Sequence, residues 1–236
     1  MPPSHILFDF FGTLVDYNAS RTEQGYPKSH ALVRQLGADL SYPEFLAAWT
    51  ITSEEFDLLS DADDREFSMT QVGTAFLAIA LGRRPEPAEV EAMVRTYVDE
   101  WNSGVSYPAG VAGLVRDLAV DHRLAVVTNT HQPDLVPDHL DAMGLLPHFD
   151  AVITSVEVGW RKPHPTIYDT ALRTLGIDAS AAVFVGDSYG PDWLGPERAG
   201  MTSFLIDPGR HADVPAARRL DSVLDLPAAL GTLTGH

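Results

Sequence analysis

The first patterned segment of the chain, His5-Ile6-Leu7-Phe8-Asp9-Phe10, is a short apolar run broken by one acid. That predicts a strand buried on both faces, and Gly12 after it permits a sharp turn. From Asp16 to about Trp101 no strand pattern follows, and the spacing turns helical. Ser41-Tyr42-Pro43-Glu44 has capping-box spacing with proline in the first turn, and Phe45, Leu46 and Trp49 continue at helical intervals. A second helix is predicted over 68–81, stopped by Gly82. A third starts near Pro87 and carries Val90, Met93, Val94 and Tyr97. Asn102-Ser103-Gly104 and Tyr107-Pro108-Ala109-Gly110 mark a boundary.

Beyond it the pattern alternates. Strands are predicted over 124–127, 151–153, 182–185 and 203–206. Helices are predicted around Val111–Leu118, 134–143, 166–175 and 191–199. This alternation is that of a doubly wound, parallel-sheet, Rossmann-like α/β core. The predicted division is a core of residues 1–15 and 106–236, interrupted by a helical lobe over 16–105. The tail after about Asp207 gives weak signals, and His211, Arg218 and Arg219 read as surface residues; the acid cluster Asp61 to Asp64 reads as an exposed turn.

Composition narrows the function. Among 236 residues, 16 lysines and arginines face 33 acids, a formal net charge of −17. That field repels polyanions, so neither nucleic acid nor a membrane surface is an expected partner. A small-molecule substrate is expected instead, with monomer and homodimer both left open. The chain has no cysteine, which excludes thiolate metal sites and a thiol nucleophile. No signal-peptide pattern or bilayer-length apolar run occurs, and a cytoplasmic location is expected. There are only two lysines, Lys28 and Lys162.

In sheets of this kind the ligand sits at the carboxyl ends of the strands. Asp9 follows the first predicted strand and Thr128-Asn129 the second. Arg161-Lys162-Pro163 lies beyond the third, and Gly186-Asp187 with Asp192 follows the fourth. Three carboxylates in one crevice repel unless a cation sits among them, and Mg²⁺ suits an all-oxygen ligand set. A carboxylate is a competent nucleophile once a metal and a lysine neutralise the electrophile. The set therefore reads as a device for displacement by Asp9 at phosphorus or a comparable electrophilic centre.

The segments Phe8-Asp9-Phe10-Phe11-Gly12-Thr13-Leu14, Arg161-Lys162-Pro163-His164-Pro165-Thr166-Ile167-Tyr168 and Val185-Gly186-Asp187-Ser188 with Asp192 resemble the haloacid dehalogenase superfamily, of the type with a helical cap inserted after the first strand. The resemblance implies Asp9 as nucleophile and Thr128, with the Asn129 backbone, as binder of the transferring group. It implies Lys162 as the neutralising cation and Thr13 as a brace for the Asp9 loop. Asp9, the Phe11 carbonyl, Asp187 and Asp192 would form the Mg²⁺ site.

One position departs from the pattern. Phosphatases of this superfamily carry a second Asp two residues after the nucleophile, as general acid and base; here it is Phe11. An aromatic residue there resembles the 2-haloacid dehalogenase branch, in which a halide leaves without a proton. The Asp187/Asp192 motif resembles the phosphatases instead. Phosphonoacetaldehyde hydrolase, which uses a cap lysine, is disfavoured because Lys28 lies in no apolar setting. The expectation is a Mg²⁺-dependent phosphohydrolase with a substitute proton donor, drawn from His131, His30, Glu54 and Glu55. The alternatives are a metal-independent dehalogenase-type hydrolase and a binding scaffold without turnover. Arg21 is a further candidate anion contact.

Overall fold

The structure is a computed structural model that describes residues 3–18 and 24–233, so Arg21 lies outside the described residues. The chain forms two compact units, Met1–Asp16 with Tyr107–His236, and Tyr17–Ser106.

In the first unit, strand β1 (His5–Phe8) begins a six-stranded sheet. A two-residue strand, β2 (Asp16–Tyr17), follows it. After the second unit come α5 (Val111–Asp121), β4 (Arg123–Thr128), α6 (Leu135–Ala142), β5 (Phe149–Thr154), α7 (Ser155–Val158) and α8 (Pro165–Leu175). The chain continues through β6 (Ala182–Gly186), α9 (Gly195–Arg198), β7 (Thr202–Ile206), β8 (Arg219–Leu220) and α10 (Leu226–Leu233). The strand order is β5-β4-β1-β6-β7-β8, with every pairing parallel. Alternate residues point to opposite faces. Leu7, Ala125, Val127 and Phe184 pack with Ile167, Tyr168 and Ala171 of α8. The other parity (Ile6, Phe8, Leu124, Val126, Val183, Val185) is equally buried. Both faces are covered, which is why these strands read as unbroken apolar runs. The chain leaves β1 for β4 on one side and β6 lies on the other, so β1 borders the switch point.

The second unit contains α1 (Pro27–Gln35), α2 (Tyr42–Asp63), α3 (Met69–Leu81) and α4 (Pro87–Trp101), with the short strand β3 (Val105–Ser106) pairing with β2. The capping boxes at Ser41/Glu44 and Ser68/Gln71 start α2 and α3. Tyr26, Phe45, Trp49, Phe76, Met93 and Tyr97 form its core.

Several expectations change. Asp61 to Asp63 form the last turn of α2, and Asp64 ends it in a left-handed conformation. The segment expected as a helix from 191 is a π-helical turn over Tyr189–Leu194, and α9 begins only at Gly195. Arg218 pairs with Glu197 at 2.5 Å and lies 4.4 Å from the Trp193 ring. Arg219 holds the Ala212 and Val214 carbonyls and lies 3.4 Å from Asp207. Both arginines stitch the tail to the sheet edge rather than sitting free on the surface.

Candidate active site

Asp9 continues β1 by one residue, its N–H bonding the Val185 carbonyl at 2.8 Å. The chain then closes a tight turn. The Phe10 carbonyl accepts from the N–H groups of Thr13, Leu14 and Val15, and Gly12, at φ 82°, donates to the Val15 carbonyl. A Cβ at Gly12 would overlap the Asp187 carboxylate, so this position needs glycine twice over: for its backbone angle and for its bareness. Gly12→Ala is expected to destabilise the fold and displace Asp187, read as a lower melting temperature than that of the parent. The brace expected from Thr13 is supplied by these main-chain bonds. Its own hydroxyl is buried without a hydrogen-bond partner among the described residues.

Lys162 ties the site together. Its ammonium donates to Asp9 Oδ1 at 2.8 Å and to Asp192 Oδ1 at 2.6 Å, and lies 5.1 Å from the Phe184 ring centre. Thr128 Oγ1 donates to the same Asp9 Oδ1 at 2.8 Å, whereas Asp9 Oδ2 accepts no hydrogen bond among the described residues. Asp192 Oδ2 accepts the Ser188 N–H at 2.9 Å, within the π-helical turn. The Tyr168 hydroxyl donates to the Pro191 carbonyl and steadies that turn. Its phenol fits because Gly195 carries no side chain.

Asp9, Asp187 and Asp192 place carboxylate oxygens within 4.8 Å of one another. Opposed ligands around an octahedral Mg²⁺ stand about 4 Å apart, and Mg²⁺ takes oxygen donors, so spacing and chemistry both fit such an ion. Three carboxylates share this crevice with one ammonium, and two of them, Asp187 and Asp192, titrate above the usual carboxylate range. Burial pushes Asp192 up to about 7 and the Asp9 charge adds to the shift, against the pull of Lys162. Desolvation and Asp9 also raise Asp187. Burial opposes the Lys162 charge, but Asp192 and Asp9 outweigh it and hold the ammonium above its usual range. A divalent cation is the natural counter-charge for this cluster.

A family model for haloacid dehalogenase-like hydrolases matches residues 3–200. The chain belongs to this family. The human haloacid dehalogenase-like hydrolase domain-containing protein 3 is 40% identical over 119 residues, 48% of this chain and 47% of that protein. A glyceraldehyde 3-phosphate phosphatase of Methanopyrus kandleri is 33% identical over 135 residues, 57% of this chain and 58% of that protein. The chain thus spans about half the length of the curated relatives it matches. A solved 2-haloacid dehalogenase from Pseudomonas syringae superposes over 98% of this chain and all of that one, with TM-score 0.70 and 22% identity, a likeness of fold.

Among the haloacid dehalogenase-like hydrolase positions, Phe11 is half-buried. Its ring packs edge-on against Phe10, at 5.0 Å, and against His139, at 6.3 Å. His30, half-buried, bonds the Leu40 carbonyl at 2.8 Å and packs against Tyr42 and Phe45, so its ring is engaged within its own unit. Glu54 and Glu55 are exposed on α2, and His131 is half-buried in the loop after β4. Lys28 is exposed, and its main-chain N–H donates to Glu100.

His139 carried no sequence signal, because an i, i+4 apolar face can hold any residue that fits. Its Nδ1 meets the Tyr107 hydroxyl at 2.9 Å, and burial lowers its pKa. The folded chain therefore binds fewer protons than the unfolded chain just below 6.5, and His5, lowered by burial as well, has the same sign. Their stabilising contribution is complete above 6.5 and falls as the pH drops toward the folded pKa. His139→Gln is expected to flatten part of the melting-temperature decline between about pH 7 and 5.

Proposed function

We propose that this hydrolase is a Mg²⁺-dependent phosphohydrolase that works through an aspartyl-phosphate on Asp9, with a small phosphorylated metabolite as substrate. The observation that carries this reading is the cluster of Asp9, Asp187 and Asp192, two of which, Asp9 and Asp192, bind the Lys162 ammonium. A metal-free displacement of halide has no use for the two further carboxylates. The phosphatase relative that covers just over half the chain points the same way.

In this reading Asp9, the Phe11 carbonyl, Asp187 and Asp192 hold Mg²⁺, which when bound neutralises charge on the phosphoryl oxygens. Thr128 and Lys162 fix Asp9 through Oδ1 and receive the transferring group, with the Asn129 main chain beside them. A bond forms from an Asp9 carboxylate oxygen to phosphorus, and the bond to the leaving oxygen breaks. Water then attacks the phosphorus, phosphate departs and the Asp9 carboxylate is restored. The helical unit serves as the cap of the family.

Phe11 shapes the kinetics, because a phenyl ring transfers no proton. An aryl leaving group departs without help, whereas an alkoxide needs a proton. The protein is therefore expected to hydrolyse aryl phosphates while turning over alkyl phosphates disproportionately slowly. Phe11→Asp should narrow that gap by about 10²-fold, the lower range for general acid catalysis. An unchanged alkyl-to-aryl ratio in the variant would show that another group already supplies the proton. The direct test of the reading is phosphate release from an aryl phosphate in Mg²⁺ and in EDTA: release confined to Mg²⁺ is expected, and equal release in EDTA would overturn the metal dependence.

Phe11 also carries a second reading, a 2-haloacid dehalogenase-type hydrolase, since halide departure needs no acid. It requires chloride release from a short 2-chloroacid in EDTA.

A further inference from the structure

Lys162 reaches both carboxylates from an irregular segment between α7 and α8, with no strand to hold its main chain. A lysine stem has four flexible carbons, so a fixed ammonium depends on a fixed Cα. The fixing group is the Asn129 side chain. Its Oδ1 accepts the Lys162 N–H at 2.7 Å and its Nδ2 donates to the Lys162 carbonyl at 3.0 Å. One amide thus satisfies both polar groups of one residue, as a neighbouring strand would.

The other side of the clamp is anchored too. The Thr130 N–H donates to Ser155 Oγ at 2.9 Å, and that hydroxyl donates to the Thr130 carbonyl at 3.2 Å. Ser155 is fully buried at the start of α7. The dipeptide Thr128-Asn129 therefore governs both donors to Asp9 Oδ1: Thr128 by its own hydroxyl, and Lys162 through its main chain.

We infer that Asn129 is the positioning residue for the Lys162 ammonium, acting through its side chain. The geometric claim stands without the phosphohydrolase reading; its effect on turnover rests on that reading.

The two-lysine composition supplies a direct probe. In protein labelled with 15N at lysine Nζ, the exposed Lys28 ammonium exchanges its protons quickly. The buried, hydrogen-bonded Lys162 ammonium should give a protected signal, assigned by its survival in Lys28→Arg. Asn129→Ala is expected to shift or broaden this signal while the protein stays folded. It is also expected to lower kcat on an aryl phosphate about 10–100-fold, the usual cost of losing an outer-shell partner, with KM changed far less. Asn129→Ser, which keeps a polar loop residue but cannot span both groups, should do the same, and it stands in if the alanine variant fails to fold. A folded variant with the wild-type Lys162 signal and wild-type kcat overturns the inference. If the signal changes but wild-type protein hydrolyses no phosphate ester, the positioning role stands and the phosphohydrolase reading falls.

Discussion

Asp9→Asn is expected to abolish phosphate release, by at least about 10⁴-fold in kcat, the scale on which removing a covalent nucleophile acts. The substitution keeps the shape of the side chain and an oxygen to accept from Thr128 and Lys162, so the fold should survive. It removes one of the negative charges that raise Asp187 and Asp192. The variant should therefore melt no lower than the parent in the absence of metal. Loss of activity without loss of stability is the signature that separates a nucleophile from a structural carboxylate.

The second large effect is on stability. Lys162→Met deletes the only cation that touches Asp9 and Asp192 among the described residues, and Asp192 is 1% exposed. Removing one partner of a buried ion pair costs about 3–5 kcal/mol, because the remaining charge is left uncompensated. At about 2–4 °C per kcal/mol for a chain of this size, the expected loss is about 6–20 °C. Its pH dependence has a definite sign. The Asp192 pKa, already about 7, loses the pull of Lys162 and rises further. A carboxyl raised in the folded state binds a proton that the unfolded chain has released, so stability falls as pH climbs from the unfolded value toward the folded one. The deficit should be small near pH 5 and grow toward pH 8, followed by melting curves without metal. A pH-independent deficit would mean the loss is one of packing alone.

The sheet is legible in the sequence because its central strands are buried on both faces. Ile6 to Phe8, Leu124 to Val127 and Ala182 to Val185 admit no polar residue, so the runs are unbroken. Asp9, Thr128 and Asp187 stand at the ends of those runs, and the structure brings Asp9, Thr128, Lys162 and Asp192 into hydrogen-bond contact. Elements held by remote partners are less legible. Helix α1 has no side-chain cap of its own, and the carboxylate of Glu100 takes the N–H groups of Lys28 and Ser29 at 2.7 and 2.8 Å. A cap supplied from some 70 residues away leaves no local signature. The π-helical turn that presents Asp192 is hidden for the same reason, its geometry resting on the Tyr168 hydroxyl and the bare Gly195. The Asn129 clamp is a third case: the spacing of the Thr-Asn pair to Lys162 says nothing of a side-chain amide bonded to a distant peptide.

Phe11 makes the proposed covalent step open to direct observation. With no carboxylate at that position to activate water, the aspartyl-phosphate should break down slowly and accumulate. The decisive measurement is an acid quench during turnover of a phosphorus-labelled aryl phosphate in Mg²⁺, followed by peptide mapping. Label is expected on the peptide that contains Asp9, approaching one per chain and released by hydroxylamine as an acyl phosphate is. Steady turnover with that peptide unlabelled at every quench time would contradict it.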